Sequence, residues 1–120
     1  MISSFKELKV WQKSFALVKK IYKLSKQLPS EEKYSLADQM KRAAESIPSN
    51  IAEDSKRSTR KDYVQFFRIA NGSTAELKTQ LLLANDLYNV EVEKELNDID
   101  EIQKMLYGMI KKLATQSSNL

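Results

Sequence analysis

The sequence predicts an all-α protein, an antiparallel up-down four-helix bundle. Apolar residues recur every three and four positions over long stretches, the period of a helix with one buried face. Only two Gly and two Pro punctuate 120 residues, far fewer than the turns of an all-β or α/β chain of this size would use. The breaks between periodic stretches are short, which makes successive helices antiparallel neighbours. The length suits a single domain, residues 1–120, with a core that needs no covalent staples.

The expected helices cover about 5–28, 31–54, 60–88 and 91–115. In the first, Leu8, Trp11, Phe15, Val18 and Tyr22 form one seam, and Val10, Leu17, Ile21, Leu24 and Leu28 form a second beside it. The apolar face is broader than one bundle core needs. Pro29 ends this helix, and Ser30 is the expected N-cap of the next, with Glu31 and Glu32 favourable to its first-turn dipole. Leu36, Met40, Ala43, Ile47 and Ile51 carry the second helix. Pro48 lies inside it, where it removes one backbone hydrogen bond and crowds the Ala44 carbonyl. A kink is expected, because Ile51 and Ala52 keep the phase of Ala44 and Ile47, with Ser46, Ser49 and Asn50 available to the freed backbone groups. A turn is the alternative.

Thr59 followed by Asp62 resembles a capping box that opens the third helix. From Tyr63 through Phe67, Ala70, Thr74, Leu77, Leu81, Ala84 and Tyr88 the spacing alternates four and three without a slip. Asn71-Gly72 would be a turn in isolation, but a turn would reset that phase, so Gly72 is expected at a close helix contact. Asn89 marks a short turn, and Val92, Leu96, Ile99, Leu106, Met109 and Leu113 outline the fourth helix, with Gly108 inside it.

Composition excludes much chemistry. With neither Cys nor His there are no disulfides, thiol nucleophiles, imidazole bases or Ser-His-Asp triads. Glu45, Glu53 and Glu76 resemble bundle carboxylates, but di-iron bundles use a Glu-x-x-His motif, so no metal is expected. Ser-x-x-Lys occurs at Ser3-Lys6, Ser30-Lys33 and Ser58-Lys61, a recurrence that helix capping explains better than a nucleophile. Two glycines make no phosphate-cradling loop. A non-catalytic protein without cofactor is the expectation. No stretch is apolar enough for a membrane span, and the opening Met1-Ile-Ser-Ser lacks the basic-then-apolar pattern of a secretion signal, so a cytoplasmic location is expected.

Charge is divided along the chain. Residues 1–70 hold 15 Lys and Arg against 8 Asp and Glu, whereas residues 71–120 hold 5 against 8. Such a division suits a side facing a polyanion, or head-to-tail contact between copies.

Several runs resemble a known family. Leu8-Lys-Val-Trp11, Ile21-Tyr22, Gln39-Met-Lys-Arg-Ala-Ala44, Ser46-Ile-Pro-Ser-Asn-Ile-Ala-Glu53 and Gly72-Ser73 with Glu76-Leu77 resemble the 23S rRNA intervening-sequence proteins across nearly the whole chain. Members are four-helix bundles encoded within intervening sequences of bacterial large-subunit rRNA genes, and relatives are accessory proteins of diversity-generating retroelements. The resemblance implies a homopentamer linked to RNA, without established enzymatic activity. The sequence departs from the family at Ser35 and Asp54, where Gly is common.

Two groups of residues are candidate sites. Lys56, Arg57, Arg60 and Lys61 lie within six positions across a helix start and can converge on a phosphate backbone, which asks for cations more than for fixed geometry. Lys19, Lys20 and Lys23 on the first helix are weaker members of the same set. The bland alternative for all of them is a solvated surface. A polar stripe, Gln39, Arg42, Ser46, Ser49, Asn50 and Glu53, runs along the second helix, and an interhelical hydrogen-bond network explains it better than a pocket or channel. Arg42 and Arg68 are expected to bridge to Glu53 or Glu76. The candidate partners are a second copy of the chain, RNA or another nucleic acid, and a reverse-transcriptase-like protein. The protein is therefore expected to be either an RNA-associated module or an oligomeric protein-interaction scaffold.

Overall fold

The computed structural model describes residues 4–54 and 60–118. Four helices carry the fold: α1 (Lys9–Ser25), α2 (Leu36–Asp54), α3 (Arg60–Tyr88) and α4 (Glu93–Ser118). α2 packs on α1 and α3, α4 packs on α3, and α1 closes the ring against α4. This is an up-down bundle, 52 Å long and 21 × 20 Å across. No helix among the described residues is long and apolar enough to cross a membrane.

Leu17, Ile21, Met40, Ile47, Ile51, Leu77, Leu81, Ile99, Ile102 and Leu106 are fully buried and fill the centre. The first helix is shorter than the expected 5–28, with Phe5–Glu7 a separate 3₁₀ turn. The seam from Val10 to Leu24, and Leu28 just beyond α1, enters this core, while Trp11 and Val18 are half-buried and Phe15 and Tyr22 remain 44% and 42% exposed. The breadth of the apolar face thus survives folding as surface on one side of α1. There Phe5 meets Trp11 edge to face and Trp11 meets Phe15 at a tilt, with centroids 5.2 and 4.8 Å apart.

The entry to α2 differs from expectation. Ser30–Glu32 forms a single 3₁₀ turn rather than a helical start, and Ser30 is not the N-cap. Between Leu28 and Leu36 no residue reaches the core, Tyr34 being 86% exposed, so nothing anchors a full α turn there and i→i+3 bonds close the connection instead. The Glu32 carboxylate accepts the Leu36 backbone N–H at 3.3 Å. It thereby satisfies one of the donors that a helix start leaves unpaired. α2 then continues through the buried Pro48 without a break, which rules out the turn alternative.

The α3–α4 connection turns on Asn89, the one non-glycine with positive φ (58°) among the described residues. Asn tolerates this left-handed geometry better than most residues. The Asn85 side-chain amide donates to the Val90 carbonyl at 3.0 Å, and Val90 and Val92 plug the end of the core. Glu93 and Glu95 then sit in the first turn of α4, where the helix dipole favours them. Gly72 is not at a close contact. It is exposed, and a Cβ built there meets nothing within 4 Å, because position 72 points outward between the buried Ala70 and Ser73.

Candidate functional site

The polar stripe of α2 divides into an interior part and a solvated part. Ser46 and Asn50 are half-buried and face Ser73 of α3. The Asn50 amide donates to the Ser46 carbonyl at 2.8 Å and to its hydroxyl at 3.0 Å. Ser46 and Ser73 hydroxyls lie 2.7 Å apart, and Ser73 donates to the Ile69 carbonyl at 3.1 Å. With the Ser73 proton committed to Ile69, Ser46 is the donor between the two hydroxyls. The chain runs in one direction, from Asn50 through Ser46 and Ser73 to the α3 backbone. One residue further on, the Thr74 hydroxyl donates to the Asn71 carbonyl at 2.6 Å and accepts from the Gln103 amide of α4 at 3.0 Å. A polar belt therefore crosses three helices at mid-height, and Ser73 and Thr74 join it only because α3 carries both toward different neighbours.

Gln39, Ser49 and Arg42 lie on the exposed side. Arg42 pairs with Asp38, Nε to Oδ2 at 3.0 Å, and not with Glu53 or Glu76. Asp38 is one turn away on the same face, whereas Glu53 is eleven residues and about 16 Å along the helix. Arg68 is exposed and bridges to neither carboxylate. Glu53 is half-buried and engaged in the fold. Gln80 falls outside both the apolar seam of α3 and the polar stripe of α2, yet it is buried on α3 with its side-chain oxygen lacking a partner among the described residues. Its polar type at an otherwise apolar flank is the one signal that could have singled it out.

The basic candidates fare differently from one another. Lys56, Arg57 and Thr59 lie outside the described residues, while Arg60 and Lys61 form the first turn of α3. On α1, Lys20 is held by Asp98 of α4 at 2.7 Å. Lys13 adds bonds to Glu101 at 2.7 Å and to Asp98 at 3.5 Å, and these carboxylates raise the Lys13 pKa. Lys19 lies over the Phe15 ring, 5.0 Å from its centroid, and Lys23 is exposed in the last turn. The charge division seen along the sequence is thus met in part within the chain, α1 lysines against α4 acids. No group of three or more potential metal ligands occurs among the described residues.

Residues 6–108 match the family model of the 23S rRNA-intervening sequence proteins. The chain belongs to the 23S rRNA-intervening sequence protein family. It is also similar to the crystal structure of a protein of unknown function from the S23 ribosomal protein family of Bacteroides thetaiotaomicron, at 30% identity and a TM-score of 0.78. That similarity covers 85% of this chain and 98% of the other. No curated protein matches the sequence. For this intervening-sequence family protein, the shared bundle accounts for the Ser-Ile-Pro-Ser-Asn-Ile-Ala-Glu run in physical terms: Ile47 and Ile51 enter the core, and Ser46 and Asn50 start the polar belt.

Proposed function

We propose that this protein is a non-catalytic RNA-associated module that acts as a homo-oligomer, a pentamer on the family resemblance, through phosphate contacts. The observation that carries the proposal is the family match over residues 6–108. Topology supports it. Up-down connectivity brings the start of α1 with Lys6 and Lys9, the start of α3 at Arg60–Lys61, and the later turns of α4 with Lys111 and Lys112 to one end of the bundle. Basic residues far apart in sequence are thereby directed toward the same end, and repetition around an oligomer would multiply weak phosphate contacts.

A second reading, an oligomeric scaffold for a protein partner such as a reverse transcriptase, draws on α1. Lys13 and Lys20 are spent on α4 carboxylates, while Phe15 and Tyr22 keep part of their ring surface exposed, beneath Lys19 and Lys41 respectively.

Salt titration separates the two. Affinity for single-stranded RNA should fall with salt at a log-log slope of roughly −0.7 per phosphate contacted. Changing Lys56, Arg57, Arg60 and Lys61 together to Ala should flatten that slope. Unchanged slopes would move the contact surface elsewhere, and no RNA binding by the wild type at low salt would favour the scaffold.

A further inference from the structure

The α1–α4 seam has two unlike stretches. Along one, Lys13 and Lys20 meet Asp98 and Glu101, and opposite charges close the helices on each other. Beside it, toward the start of α1, Lys9 from α1 and Lys104 and Lys112 from α4 rim a shared groove. None of these three lysines, all exposed, pairs with a carboxylate among the described residues. Like charges collected around one opening repel, and an anion placed between them relieves that repulsion.

The groove holds about 380 Å³ and is open along its length. Its floor is apolar: Leu8, Val10, Met105 and Met109. Methionine pairs suit a surface that adapts to a helix laid across it. Gly108 stands in the wall, where a Cβ would meet nothing within 4 Å. Packing inside the subunit does not require glycine there, and helix propensity opposes it. Close approach of another backbone would account for it.

We propose that this groove docks an acidic amphipathic helix of a protein partner, with an apolar stripe on the floor and carboxylates among Lys9, Lys104 and Lys112. Between Lys104 and Lys112 the groove follows about 12 Å of α4, two helical turns, which matches anchors at i, i+3, i+4 and i+7. A sugar-phosphate chain would satisfy the lysines and leave the floor wet. An acyl chain would need more enclosure than an open groove gives. The proposal goes beyond the RNA-associated reading and does not depend on it.

The test uses the intact protein and a fluorescein-labelled synthetic helix of about four turns, with Leu at i, i+3, i+4 and i+7 flanked by Glu. Anisotropy should report saturable binding, and the same peptide with Lys in place of Glu should bind at least tenfold more weakly. The triple variant Lys9→Glu, Lys104→Glu, Lys112→Glu should invert that preference. Gly108→Phe should weaken the acidic peptide at least tenfold by filling the groove. Should Gly108→Phe fail to fold, as circular dichroism would reveal, the inverted preference of the triple variant still decides. Equal affinity for both peptides, or acidic-peptide binding untouched by the triple variant, would overturn the proposal. So would laurate or single-stranded RNA binding that the triple variant abolishes while the peptide does not bind, or dissociation of an oligomer by that variant, which would make the groove an interface between copies.

Discussion

Asn50 organises more of the interior than its half-buried position suggests, because its amide heads the hydrogen-bond chain that joins α2 to α3. Replacing Asn50 by Leu removes the donor and leaves the Ser46 oxygens short of a partner. Such a loss should cost about 1 to 3 kcal/mol, the usual penalty for an unsatisfied buried group. Chemical denaturation of the variant checks this, and an unchanged midpoint would show that water serves Ser46 equally well. Gly72 offers the opposite case. It lies in an exposed helix interior with open space where a Cβ would stand, so Gly72→Ala should stabilise by about 0.5 to 1 kcal/mol through chain entropy and helix propensity. Destabilisation in the same denaturation experiment would mean that another molecule approaches that backbone.

At the scale of elements, the connection into α2 depends on a clasp between segments far apart in sequence. The Tyr88 phenol, at the end of α3, donates to the Glu32 carboxylate, whose other oxygen accepts the Leu36 N–H at the start of α2. Both bonds favour ionised Glu32 and hold its pKa below the ordinary 4.5, the phenol more than the backbone N–H. The same carboxylate pushes the Tyr88 hydroxyl up from 10 to about 12. The lowered Glu32 contributes stability above pH 4.5 that is lost as pH falls through its folded-state value. The raised Tyr88 contributes stability below pH 10 that is lost as pH rises toward 12. Tyr88→Phe should therefore melt lower than the wild type at neutral pH, with the gap narrowing below pH 4.5. Melting curves that stay parallel from pH 7 to pH 3 would show that the clasp adds no linkage.

For the molecule as a whole, the breadth of the α1 apolar face sets the question of assembly. Phe15 and Tyr22 on α1 and Leu82, Leu83 and Leu87 on α3 remain substantially exposed, Leu87 at 58%. Exposed apolar surface of this extent is the kind that another subunit covers. Light scattering at micromolar concentration should return a mass well above 13.8 kDa, and a monomer mass would contradict the homo-oligomer.

The helices themselves were legible because each long run keeps one period: Tyr63 to Tyr88 never loses phase, so a single α3 follows from local spacing even across Asn71-Gly72. Family membership was legible for a related reason, since runs such as Ser46 to Glu53 combine core and belt positions in one contiguous string. Tertiary structure alone decided how residues on different helices meet. No spacing rule pairs Lys20 with Asp98, seventy-eight positions away, or Lys78 with Asp100 on the next helix, whereas the Arg42–Asp38 pair, four positions apart on one helix, was open to local spacing. The start of α2 at Leu36 was hidden as well, because Ser30 with its two glutamates has every local mark of a helix start and lacks only a core contact to hold the turn. Gly72 shows the same division: its place in a helix is set by phase, but whether anything packs against it depends on which side the neighbouring helices occupy. Periodicity fixes which face of a helix is apolar. Which charged group lies across a seam, and which groove stays open beside it, depends on the rotation and offset of packed helices, and side-chain contacts far apart in sequence set both.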